Sequence, residues 1–213
     1  MDKDYRSDSF EIIGIAGNIG AGKSVVSRIL RCNGFAVYDC DREASILMNE
    51  DAELRKLLTE ILGEECYLND GRLNKKHVAD MIFTYEKMRM KVNSAVHSAV
   101  KKDFLKMAVA HAGKVFVESA IMAESGLDML CNKVWVVDAS EQTRLGRVMV
   151  RSNLSEKEVL DRMESQKHEL SRLPSEKVVV IPNENDSPLL ERVLSLAFGN
   201  VESISCEIPL RDR

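Results

Sequence analysis

The 213-residue chain carries 30 Lys and Arg against 34 Asp and Glu, a formal net charge of −4, and a sequence pI near 5.7. That balance argues against a general nucleic-acid binder, which needs a basic field. With 45% hydrophobic and 30% charged residues, the chain reads as one globular unit able to bury a sizeable core and carry an insertion. Residues Met1 to Ser9 are polar and charged and no stretch approaches a membrane span, so a cytoplasmic protein with no membrane partner is expected. Cys32, Cys40, Cys66, Cys131 and Cys206 are scattered without metal-ligand spacing and are expected to be reduced structural thiols.

The first predicted element is a strand, Glu11 to Ala16, whose short apolar run suits a strand buried on both faces. It leads directly into Gly17-Asn18-Ile19-Gly20-Ala21-Gly22-Lys23-Ser24, and then into an amphipathic helix bearing Val25, Val26, Ile29 and Leu30. Strand, glycine-rich loop and helix in that order make a phosphate-binding loop. Its glycines let backbone N–H groups turn inward around an anion, and the helix dipole adds positive potential. Lys23 is placed to reach the β- and γ-phosphates and the Ser24 hydroxyl to ligate Mg²⁺.

A second strand is predicted at Phe35 to Asp39, ending in Asp39-Cys40-Asp41. Ligands of open α/β sheets bind at this carboxyl edge. Either carboxylate can accept a hydroxyl proton, and either can instead cap the helix starting near Arg42. From Asp41 to Gly113 the pattern is helical throughout, with Met88, Val92, Val96, Val100, Phe104 and Met107 predicted to form one apolar face. An all-helical insertion after the second strand is expected.

Further strands are predicted at Lys114 to Ser119, Lys133 to Asp138 and Val178 to Ile181. After Asp138 a helix would gather Arg144, Arg147 and Arg151 on one side, followed by a helix opening with a Ser155 and Glu158 capping box. An Arg-bearing face is often plain surface, but beside a phosphate loop it is a candidate lid. The class is α/β: five parallel strands between helices, the first strand beside the third. The core is expected at 10–41, 114–138 and 178–200, the insertion at 42–113 and the lid at 140–172.

In their ordered spacing these residues resemble the dephospho-CoA kinase family, which has a P-loop kinase fold. The motifs are the loop Gly17 to Ser24, then Asp39-Cys40-Asp41, His97-Ser98-Ala99-Val100-Lys101, Ala120-Ile121-Met122-Ala123-Glu124, Val136-Val137-Asp138, the lid positions Leu145, Arg147, Met149, Arg151, Arg162 and Gln166, and Val180-Ile181-Pro182-Asn183. The chain departs from the usual family spelling at Asn18, Ser98 and Ala120.

The resemblance implies transfer of the γ-phosphoryl of ATP to the ribose 3′-hydroxyl of dephospho-coenzyme A, with Mg²⁺. Asp41 would accept the hydroxyl proton, while Lys23 and Arg147 would stabilise the phosphates. Asp39 or Glu118 would hold metal-bound waters, with Ser24 the direct ligand. ATP would lie on Asn18, Ile19, Gly20, Ala21, Gly22, Lys23, Ser24, Val25, Arg147 and Asn183, with adenine also near Asn185. Asn183 and Asn185 read equally well as turn residues leading into a helix at Ser187-Pro188. The second substrate would meet Asp41, His97, Lys101 and Glu124, with Arg72, Arg89, Lys91 and Lys102 as further cations. A deoxynucleoside kinase shares the loop spelling, but Glu118-Ser119-Ala120 lacks the Arg expected after its third strand. A GTP-binding switch would need Asn-Lys-x-Asp, and Asn132-Lys133-Val134-Trp135 lacks the Asp.

Overall fold

The computed structural model describes residues 10–152 and 154–199. Five strands, β1 (Phe10–Ala16), β2 (Ala36–Asp39), β3 (Gly113–Glu118), β4 (Lys133–Asp138) and β5 (Val178–Pro182), form one sheet in the order β2-β3-β1-β4-β5. The pairings of β1 with β3, β1 with β4 and β4 with β5 are all parallel. The first strand therefore lies beside the third, with Ile13 opposite Phe116 and Ile15 opposite Glu118.

The apolar run of β1 is explained by burial on both of its faces. Ile13 and Ile15 join Phe116, Trp135, Val137 and Ile181 in a cluster closed by Val26 and Leu30 of α1 (Lys23–Cys32) and by Val193 and Ala197 of α8 (Leu189–Phe198). On the opposite side a Cβ at Gly14 would lie 3.1 Å from both the Cys131 sulfur and the end of Met122. Each buried aliphatic side chain here contributes about 1.5–3 kcal/mol. Phe116 also meets Phe35 edge-on, with ring centroids 5.4 Å apart.

The described residues fold as two compact units, one within 10–38 and 111–199, the other 39–110. The second is helical: α2 (Cys40–Glu50), α3 (Ala52–Leu62), α4 (Lys75–Thr84) and the 24-residue α5 (Glu86–Val109). Its core holds Leu54, Leu58, Leu62, Cys66, Leu73, Val78 and Val92, with Met88, Val96 and Ala99 packed against it. The apolar stripe expected along α5 divides. Val100 and Phe104 are buried but stand outside that cluster. A spacing of four residues advances 400°, so the stripe drifts about 40° per step and leaves its first partner after a few turns.

Among the described residues four cysteines are free thiols: Cys32 is exposed, and Cys40, Cys66 and Cys131 are buried; Cys206 lies outside the described residues. Burial pushes the Cys131 thiol up to about 12. Peptide mapping after brief alkylation of the native protein at pH 8 is therefore expected to find Cys32 modified and Cys40, Cys66 and Cys131 modified only after unfolding. Labelling of native Cys131 at the rate of Cys32 would contradict its packing. Among the described residues no helix is long and apolar enough to cross a membrane.

Candidate active site

The loop from Gly17 to Ser24 joins β1 to α1, and three of its residues use backbone that side chains disfavour: Gly17, Gly20 and Gly22 have φ of 147°, 81° and 105°. Gly22 is also the N-cap of α1 and supplies no side-chain cap. The helix start is thus left to be completed by an anion rather than by a neighbouring hydroxyl or carboxylate. Ala21 N–H donates to the Asn18 carbonyl at 3.1 Å, closing the turn. Lys23 Nζ folds back to donate to the Gly17 carbonyl at 2.6 Å, which holds the ammonium over the loop. Ser24 and Val25 are exposed in the first turn of α1.

Asn183 follows β5 and is 8% exposed. Its backbone N–H donates to the Asp138 carbonyl at 2.7 Å, and its side-chain amide donates to the Ala21 carbonyl at 2.7 Å. The amide is therefore a brace under the phosphate loop, tying it to the ends of β4 and β5. Asn185 is exposed, and Pro188 is the N-cap of α8.

The Arg-bearing hairpin belongs to the same unit as the loop. Helix α6 (Glu141–Arg151) opens on the Ser140 cap, and α7 (Glu156–Ser165) opens on the complete Ser155 and Glu158 capping box. Glu184 accepts from the Ser140 N–H and from the Thr143 hydroxyl, the latter at 2.7 Å. These bonds hold its carboxyl below the usual range. This clip is accordingly present above the unfolded carboxylate pKa and is lost as pH falls through the lowered folded value.

The three arginines expected to act together separate. Arg144 and Arg147 each bury an Nη1 atom that has no hydrogen-bond partner among the described residues, whereas Arg151 is exposed in the last turn. Arg144 is steadied by its Nε donating to the Ala139 carbonyl at 3.1 Å. Buried guanidinium donors without acceptors are costly unless an anion satisfies them.

The carboxylates after β2 also divide their roles. Asp39 is the N-cap of α2, accepting from Arg42 N–H at 3.2 Å, while Asp41 is exposed in the first helical turn. On α5, His97 and Lys101 are half-buried and four residues apart, hence on one face. They do not line the groove of about 580 Å³ between α3 and α5, whose walls include Leu54, Leu57, Ile61, Ser94, Ser98 and Lys102. Glu118 ends β3, half-buried. Glu124 is exposed in the turn after β3, and its N–H donates to Glu169 at 3.3 Å.

Sequence reasoning missed Glu169 altogether. This buried carboxylate accepts from Ala123 N–H at 2.5 Å as well as from Glu124 N–H. A lone Glu in the turn after a polar helix carries no signal of such a bond, since its partners are backbone groups 45 and 46 residues away.

The family model described as dephospho-CoA kinase matches residues 11–189. A Porphyromonas gingivalis dephospho-CoA kinase is 41% identical over 160 residues, covering 75% of this chain and 79% of its own length. One from Bacteroides fragilis is 33% identical over 187 residues, covering 86% and 90%. Among solved structures, a Thermus thermophilus protein superposes with a TM-score of 0.74 at 29% identity, over 92% of this chain and 100% of its own. With the match running from β1 through the loop, helical unit and Arg-bearing hairpin to α8, the chain belongs to the dephospho-CoA kinase family.

Proposed function

We propose that this enzyme transfers the γ-phosphoryl of ATP to the ribose 3′-hydroxyl of dephospho-coenzyme A, the last step of coenzyme A biosynthesis, and that the phosphate loop and the arginine lid are its phosphoryl-transfer machinery. The observation that carries the reading is the uncapped glycine loop in one unit with two half-buried arginines whose Nη1 atoms are unsatisfied. In that reading the loop from Asn18 to Val25 receives the polyphosphate on its backbone N–H groups. Lys23 and Arg147 neutralise charge as it spreads over the transferred group.

The donor set fits Mg²⁺: one hydroxyl, Ser24, at the open start of a helix, with phosphates completing an oxygen shell. A bound Mg²⁺ would supply charge neutralisation across the β- and γ-phosphates. Asp39, which also caps α2 through one carboxylate oxygen, or Glu118 would orient metal-bound water. The helical unit takes the acceptor, with Asp41 receiving the 3′-hydroxyl proton and His97 and Lys101 meeting the coenzyme moiety, assisted by Glu124. The 3′-oxygen forms its bond to the γ-phosphorus as the bond to the β,γ-bridging oxygen breaks. ADP leaves, and the proton passes to the Asp41 carboxylate.

The deciding assay is ADP release with dephospho-coenzyme A, deoxynucleosides and adenosine as competing acceptors. Dephospho-coenzyme A is expected to have the highest kcat/KM by at least about 100-fold, the discrimination a site gains from pairing polar groups that smaller acceptors leave unpaired. A deoxynucleoside outperforming it would replace the proposed acceptor. Cytoplasmic location fits a substrate set of small soluble metabolites.

A further inference from the structure

The end of the lid grips two other segments of its own unit. Ile19, the third residue of the phosphate loop, is held by both of its parts. Its side chain packs with Leu145 and Leu154 against Val148, Val159 and Met163, the small core of the α6–α7 hairpin. Its N–H donates to Gln166 Oε1 at 2.7 Å, across 147 residues of sequence. Three residues beyond Gln166, the buried Glu169 carboxylate holds the Ala123 and Glu124 N–H groups, so the segment presenting Gln166 is anchored independently of the loop. The neighbouring loop residue touches the other lid helix: a Cβ at Gly20 would lie 2.6 Å from the Arg144 carbonyl oxygen. Both helices of the hairpin are thereby seated on consecutive loop residues, and α6 carries the unsatisfied Nη1 atoms of Arg144 and Arg147.

We propose that Gln166 is a positioning residue for phosphoryl transfer: by accepting from Ile19 N–H, its amide oxygen fixes the lid on the phosphate loop and sets Arg144 and Arg147 over the polyphosphate site before nucleotide arrives. The inference rests on the reading of Arg147 as a phosphate ligand. Gln166 touches neither reacting atom. It acts by removing the need to order the lid during binding, the usual gain from preorganisation. Its loss should therefore weaken nucleotide binding more than it slows transfer.

Gln166→Met preserves length and removes the acceptor, and Gln166→Glu preserves an acceptor oxygen. Amide hydrogen exchange of Ile19 in the nucleotide-free protein is expected to accelerate about threefold to tenfold in Gln166→Met, the range of one net hydrogen bond, and to stay near the parent rate in Gln166→Glu. In steady-state assays Gln166→Met should raise KM for ATP by a similar factor, with kcat and KM for dephospho-coenzyme A changed by less than about twofold. If Gln166→Met folds poorly, the shorter Gln166→Asn withdraws the same oxygen and must give the same exchange result. An unchanged Ile19 exchange rate in the acceptor-free variant overturns the proposal, and so does accelerated exchange without a rise in KM for ATP. Arg147→Ala separates the two readings: ATP kinetics like the parent's would remove Arg147 as a phosphate ligand, whatever Ile19 exchange does in the Gln166 variants.

Discussion

Replacing Asp41 with asparagine is expected to lower kcat by about 10²–10⁴-fold, the range for removing a general base, while ATP affinity measured by calorimetry stays within about twofold. The substitution is isosteric and leaves the cap of α2 in place. Asp41 is exposed and is not the cap of α2, a role held by Asp39. Its carboxylate in the first turn contributes about 0.3–1 kcal/mol through the helix dipole. Asp39→Asn is the matched control, because Asn caps helices as well as Asp does. It removes a charge of the same sign two residues away and should keep the stability, with a loss of turnover smaller than that of Asp41→Asn. A pair of variants with equal losses would point to local electrostatics rather than a proton acceptor. Turnover near the parent's in Asp41→Asn would remove Asp41 from the base role.

The phosphate loop and the sheet were legible because their signals are local. A buried strand, three glycines in backbone that side chains avoid, and an uncapped helix start all lie between Phe10 and Ser24, and each leaves its own mark on composition. The bracing of that loop was not legible, for a physical reason. Asn183 on Ala21, Gln166 on Ile19 and Glu169 on Ala123 are side chains bonded to backbone across 162, 147 and 46 residues. A backbone partner imposes no residue type, so neither end of such a bond marks the sequence. Gln166 could be matched to a family position, yet nothing in the chain said what its amide would hold. The arginines illustrate the intermediate case. Spacings of three and four placed Arg144, Arg147 and Arg151 on one side of a helix. Periodicity could not reveal that α6 ends at Arg151, leaving that side chain exposed while the other two turn their Nη1 atoms inward.

Gly20→Ala should be the most damaging single methyl that can be added to this chain's lid contact. The residue has φ of +81°, and a Cβ there would lie 2.6 Å from the Arg144 carbonyl oxygen and 3.0 Å from its Cα. Those atoms are helix backbone with no rotamer to escape into, so the loop or the whole of α6 must shift. Backbone strain alone costs about 1–2 kcal/mol; the steric term brings the expected destabilisation to about 3 kcal/mol or more. Gly34→Ala isolates the first term, since Gly34 has φ of +84° and nothing within 4 Å of the added carbon. It should lose only the strain, about 1–2 kcal/mol, and bind ATP like the parent. Gly20→Ala should also weaken ATP binding by at least about tenfold, because a displaced lid carries Arg144 and Arg147 away from the loop. Chemical denaturation and ATP calorimetry on the two variants decide the matter. Equal stability losses and equal ATP affinities in both would mean that α6 yields freely, and that the seat between lid and loop at Gly20 does not hold the arginines in place.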